Sequence, residues 1–263
     1  MEENSHIQMT VIQIDDYGPW TLSLGPNREP HLQILQSELY AYVQHLFSLK
    51  GGFVFYGRFD NMLAVTNGMN IDDHREIQRK VSRRFPVTIS LGIGVGGYPK
   101  EAEENATRML QRQGSSRLEG RRSVLAVERQ LSTTDDGFVQ IAHIDVNDAT
   151  SKITDSVPAY NAFVTMLRVH EALAREFLER RALVFFAGGD NFLAVSNGLR
   201  EEEYRQILER VSELVGLELK AGVGIGRSAT EALRLASESL DKIRASGGNE
   251  FIKILPATPV ENE

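Results

Sequence analysis

The sequence predicts an α+β chain made of two tandem ferredoxin-like domains, each on the split βαβ plan. Two observations carry this. The 263 residues repeat themselves at a constant offset of 130, and each copy runs through apolar segments in the order β-α-β-β-α-β.

The repeat shows when the chain is laid over itself without a gap. Asp15 then meets Asp145, Asp60-Asn61 meets Asp190-Asn191, and Leu63-Ala64-Val65 meets Leu193-Ala194-Val195. Gly92, Gly94 and Gly96 meet Gly222, Gly224 and Gly226, and Glu101-Ala102 meets Glu231-Ala232. The expected domains are residues 1–130 and 131–263, joined near Gln130 to Gly137.

The elements follow in order. A β-rich run ends in aspartate at Asp15 and again at Asp145. Leu39, Val43 and Phe47, matched by Val169, Leu173 and Phe177, mark one apolar face of a helix. Two apolar runs around a turn, Phe53 to Tyr56 with Met62 to Thr66 and Leu183 to Phe186 with Phe192 to Ser196, predict a hairpin. A second helix carries Ile77 and Val81, or Ile207 and Val211, and a strand follows over 87–95 and 217–225. A helix from Glu101 or Glu231 and a last strand at 124–127 or 251–255 close each copy. The expected sheet is mainly antiparallel, with its helices on one face.

Composition narrows the chemistry. Apolar residues make up 41% and charged residues 25%, an ordinary globular balance. The net charge of −7 argues against a nucleic-acid partner held by bulk electrostatics. There is no cysteine, hence no thiol nucleophile and no thiolate-bound zinc, and the six histidines show no HExxH spacing. No apolar run approaches the ~20 residues of a membrane span, and the polar start is no secretory signal, so a soluble, cytoplasmic protein without a membrane partner is expected.

The chemistry-bearing residues fall at one end of the expected sheet. Strand one lies beside the hairpin in this plan, so Asp145 and Asp190 converge. Carboxylates that close repel unless a cation lies between them, and oxygen donors suit Mg²⁺ or Mn²⁺. Gly188-Gly189 strips side chains from the hairpin, which admits a phosphate to the backbone. Gly, Asp and Asn also suit a plain turn. The recurrence of both acids, as Asp15 and Asp60, favours a metal site.

Phe186-Ala187-Gly188-Gly189-Asp190-Asn191-Phe192 resembles the GGDEF-type hairpin of the nucleotidyl cyclase and polymerase palm superfamily, and residues 236–249 (ASESLDKIRASGGN) are similar to the helix that follows there. With Ile141-Ala142-His143-Ile144-Asp145 and the run from Val11 to Trp20, the whole chain resembles archaeal-type GTP cyclohydrolase III. That resemblance implies GTP as substrate and Mg²⁺-dependent opening of its imidazole ring. It implies release of inorganic phosphate, and 2-amino-5-formylamino-6-ribosylamino-4(3H)-pyrimidinone 5′-monophosphate as product. It also implies activation by a monovalent cation such as K⁺, and a homo-oligomer, dimer or tetramer.

The copies differ in their basic residues. Lys220 faces Ser90, Arg244 faces Gly114, Arg227 faces Gly97, and Gly188-Gly189 face Arg58-Phe59. The expected site is therefore in the second copy. Asp145 and Asp190 are catalytic and metal-binding on two metal ions, and Gly188, Gly189, Asn191, Lys220 and Arg244 bind substrate. Lys220, Arg227, Lys242 and Arg244 also suit a solvated surface, at least two of them. Asp15 and Asp60 hold their own metal, complete a composite site or are remnants. Gly92 to Gly97 matches GxGxxG, but its glycines alternate along a strand and its twin loses the last one, so dinucleotide binding is not expected and the glycines leave a flat face where a helix or the ligand packs close. His143 reads as a structural hydrogen-bonder, and Trp20 as a base-stacking, a surface or a core aromatic. A purine nucleotidyl cyclase and a non-catalytic GTP-sensing module remain as alternative functions.

Overall fold

The first strand, β1 (Ile7–Ile14), is buried along nearly its whole length, because helices cover both faces of its sheet. The computed structural model describes residues 6–58, 60–118, 120–131, 137–246 and 250–257. Phe59 and the Gly247-Gly248-Asn249 segment quoted above lie outside them. The chain divides into two units, Met1–Gly97 with Glu101–Gly137 and Tyr98–Lys100 with Phe138–Glu263. Gln130 and Leu131 belong with the first. The Gln130 side chain accepts from the Ile71 amide, and the Leu131 amide donates to Gln8.

The first unit runs β1, α1 (Tyr17–Ser23), α2 (Arg28–Ser48), β2 (Phe53–Arg58), β3 (Asn61–Val65), α3 (Ile71–Arg84), β4 (Ile89–Gly96), α4 (Pro99–Gln111, from Glu101 in this unit) and β5 (Leu125–Val127). The second runs β6 (Val139–Val146), a π-helical turn (Thr150–Thr154), α5 (Ala159–Glu179), β7 (Leu183–Gly188), β8 (Asn191–Val195), α6 (Glu201–Val215), β9 (Leu219–Gly226), α7 (Ala229–Ala245) and β10 (Ile252–Pro256). The sheets have orders β2-β3-β1-β4-β5 and β7-β8-β6-β9-β10. Four strands of each are antiparallel in the split βαβ arrangement, and the fifth lies parallel to β4 or β9. The fold is α+β, as expected. Among the described residues no helix is long and apolar enough to cross a membrane.

The helices do not share one face. Ile12, Ile14 and Leu91 pack on α2 and α3 through Leu39, Val43, Phe47, Ile77 and Val81, whereas Val11 packs on Ala106 and Leu110 of α4 on the other side. The alternate glycines of β4 and β9 explain the third helix. A Cβ at Gly96 would stand 2.6 Å from the Ala102 nitrogen, and one at Gly226 2.7 Å from that of Ala232. At Gly92, Gly94, Gly222 and Gly224 it would strike the backbone of α4 or α7 closer still. These glycines let a helix lie against the sheet, which disposes of the dinucleotide motif.

Strand pairing also revises the gapless repeat. Met9 pairs with Val65, but Ile141 pairs with Val195; Gln13 faces Asn61, but Asp145 faces Asn191. Relative to its neighbours, strand one is displaced by two residues between copies. Other contacts agree. Asn67 accepts from the Gln8 amide and Asn197 from the Gln140 amide. The Asp15 amide donates to Thr88 and the Asn147 amide to Glu218. The left-handed residue after the strand is Asp16 (φ 52) in one copy and Asp148 (φ 54) in the other. The counterpart of Asp145 is thus Gln13, and that of Asp15 is Asn147. The first copy takes up the difference in a longer connection before α2.

Candidate active site

Asp145 ends the central strand β6 and is 5% exposed. Asn191 of β8 and Lys220 of β9 stand directly opposite it on either side. Lys220 Nζ lies 3.0 Å and Arg244 Nη2 3.2 Å from the same oxygen, Asp145 Oδ2. Arg244 reaches there from the last turn of α7, and its Nη1 donates to Asp241 at 3.1 Å. Burial opposes the charge on Arg244, but the hydrogen bond and attraction of Asp145, joined by Asp241, outweigh it and raise its pKa above the ordinary arginine value. The basic residues that distinguished the second copy therefore separate. Lys220 and Arg244 meet at the strand-end carboxylate, while Lys242 pairs with Glu238 on the surface.

The β7–β8 hairpin turns through two glycines with positive φ, Gly188 at 109° and Gly189 at 62°. Nothing lies within 4 Å of where a Cβ would stand on Gly188, so this side of the hairpin is open. Asp190 follows in the turn. Asn191 Nδ2 donates to Asp190 Oδ1 at 2.8 Å, and Asn191 Oδ1 is 2.8 Å from His143 Nε2. Asn191, expected to bind substrate, is thus engaged at both ends of its amide. His143 is a hydrogen-bonder, as expected, but its partner belongs to the site. Its position one residue before Ile144 gave no signal of that.

The first unit is built differently. Asp15 is 3% exposed and accepts from Thr88 Oγ1 (2.7 Å), Ser90 Oγ (2.5 Å) and the Ser123 amide (2.8 Å). Arg121, also buried, lies 3.6 Å away. Both Asp15 oxygens are taken, and the residue is not the counterpart of Asp145 that the repeat suggested. Asp60 is clasped by Arg58, whose Nε and Nη2 lie 3.1 and 2.7 Å from its two oxygens. A cleft of about 260 Å³ beside Asp15 is lined by Asp16, Trp20, Thr88 and Arg122 among others. Among the described residues no three His, Asp or Glu side chains cluster as a ready metal cage.

The sequence profile of a family described as GTP cyclohydrolase III matches residues 9–255. The GTP cyclohydrolase III of Methanothermobacter thermautotrophicus is 44% identical over 249 residues, which cover 95% of this chain and 99% of that one. Its namesake in Methanocaldococcus jannaschii is 48% identical over 238 residues, covering 90% and 88%. Among solved structures, the active GGEEF domain of a diguanylate cyclase from Vibrio cholerae is similar to 46% of this chain and 85% of its own, at 15% identity and a TM-score of 0.39.

Proposed function

The chain belongs to the GTP cyclohydrolase III family and is a GTP cyclohydrolase; from that premise we propose that catalysis takes place in the second repeat, around Asp145 and Asp190. Water adds at C8 of guanine and the C8–N9 bond breaks, which leaves the formyl group on N7. Hydrolysis of the two phosphoanhydride bonds releases the β and γ phosphates. The product is the formylamino-pyrimidine ribonucleotide monophosphate.

Two hard carboxylates in a chain without cysteine fit Mg²⁺, or Mn²⁺, better than zinc. Asp145 and Asp190 would hold two such ions, with a monovalent cation such as K⁺ as activator. Bound divalent metal supplies charge neutralisation at the triphosphate and activation of water. The protein supplies the rest. Lys220 and Arg244, long cations that neutralise Asp145 here, turn to phosphate oxygens when substrate arrives. Gly188 and Gly189 admit the phosphates to the hairpin backbone. A cytoplasmic location and self-association to a dimer or tetramer complete the proposal.

One observation carries it. The second copy gathers a buried carboxylate, two basic side chains and an open hairpin, while the first saturates Asp15 and clasps Asp60. Asp145→Asn and Asp190→Asn should each abolish Mg²⁺-dependent turnover of GTP, followed as loss of purine absorbance with phosphate release, without loss of fold. Near-wild-type turnover in either variant removes that residue from the centre. A cyclic nucleotide product would instead identify a cyclase, and unchanged GTP a sensor.

A further inference from the structure

We propose that His143 is a positioning residue that sets the orientation of Asp190 through Asn191, an inference that rests on Asp190 being one of the two catalytic carboxylates. The hydrogen-bond directions follow from chemistry. An ionised Asp190 only accepts, so the Asn191 amino group must face it, and the Asn191 carbonyl then faces His143. The imidazole must therefore donate from Nε2, leaving Nδ1 to accept. Ser237 Oγ of α7 stands 3.4 Å from Nδ1, on the acceptor side. The chain of donors runs His143 to Asn191 to Asp190.

The first copy shows why this chain exists. There the residue opposite the hairpin asparagine is Gln13, whose Nε2 donates to Asn61 Oδ1 at 3.2 Å. In the second copy that slot holds Asp145, which has no proton to give. The donor comes instead from two residues earlier on the same face of the strand, where the first copy has Val11. The hairpin acids differ in step. Asp60 is steadied by the guanidinium of Arg58, whereas the corresponding position is Gly188 and, among the described residues, no cation is paired with Asp190. An amide in direct contact fixes the carboxylate without cancelling its charge, which a carboxylate meant to bind a cation requires.

Four proteins decide it: wild type, His143→Val, His143→Gln and Asp190→Asn. Valine is the side chain the first copy carries in that slot, and glutamine restores an N–H donor. Outer hydrogen-bond partners of metal ligands typically matter by about 10- to 100-fold. His143→Val should lower kcat within that range and weaken Mn²⁺ binding, titrated by electron paramagnetic resonance without GTP, by about tenfold. KM for GTP and the melting temperature should stay near wild type. His143→Gln should recover most of both losses. Wild-type kcat and Mn²⁺ affinity in His143→Val, with Asp190→Asn inactive, would overturn the positioning role while leaving the centre in place. Equal losses in the valine and glutamine variants would overturn the donor role. An active Asp190→Asn would overturn the underlying assignment instead.

Discussion

Asp15 is held by two hydroxyls, a backbone amide and a buried guanidinium. Asparagine in its place would set an N–H against groups that donate and leave Arg121 without its counter-charge. Breaking a buried pair from one side costs about 3–5 kcal/mol. Asp15→Asn should therefore lower the melting temperature markedly, yet kcat of the folded variant should match wild type, whereas the folded Asp145→Asn variant should lose turnover. A second residue ties the first unit to pH. His74 is fully buried, its Nδ1–H donating to the Asn70 carbonyl and its Nε2 accepting from the Thr10 hydroxyl. Burial lowers its pKa below the ordinary value, the carbonyl contact and Asp73 opposing only in part. The unfolded chain takes up a proton near pH 6.5 while the folded state resists it. Its contribution is full above that pH and is lost as pH falls through about 6.5 toward the folded value. His74→Tyr copies its counterpart Tyr204, whose hydroxyl accepts from Gln140. Melting temperature plotted from pH 7.5 to 5.5 should fall less steeply in this variant than in wild type.

The elements differ in how plainly their residues announce them. Strands and hairpins declare themselves by apolar runs broken at Gly188-Gly189, and α5 by Val169, Leu173 and Phe177 at one helical spacing. The alternating glycines of β4 and β9 marked a flat face for close packing by a helix or the ligand, but not, in the first copy, that this face is opposite the one that α2 and α3 cover. Gly224 makes the point energetically. A methyl group there would press into the Ala232 carbonyl of α7, so helix and sheet must part. Overpacking of this kind typically costs about 1–3 kcal/mol. Because α7 carries Arg244 to Asp145, Gly224→Ala should lower the melting temperature and also raise KM for GTP, whereas a purely structural loss would leave KM alone.

Across the whole molecule, the two copies differ at the hairpin: in the second it is open and, among the described residues, its aspartate has no cation beside it, while in the first Arg58 clasps Asp60. The first-copy pair between Arg58 and Asp60 is largely exposed and worth at most about 1 kcal/mol. Asp60→Asn should accordingly leave both melting temperature and GTP turnover within error of wild type, measured beside Asp190→Asn. That asymmetry was legible in the sequence through Lys220, Arg244 and the hairpin glycines. The displacement of strand one was not, since Gln-Ile-Asp and His-Ile-Asp align convincingly at offset 130 and only pairing reveals that Gln8 answers to Gln140. A shift of two residues has a particular property in a strand, where side chains alternate with period two. Each side chain keeps its face, so the alternation of the strand is preserved, while the residue presented at the strand end is aspartate in one copy and glutamine in the other. In genetic terms, a difference of two codons in the connection before α2 goes with a different side chain at the strand end and no inversion of the strand's two faces. On the proposed assignment, a strand-end carboxylate in the first half would have to stand at Gln13, because Asp15 answers to Asn147.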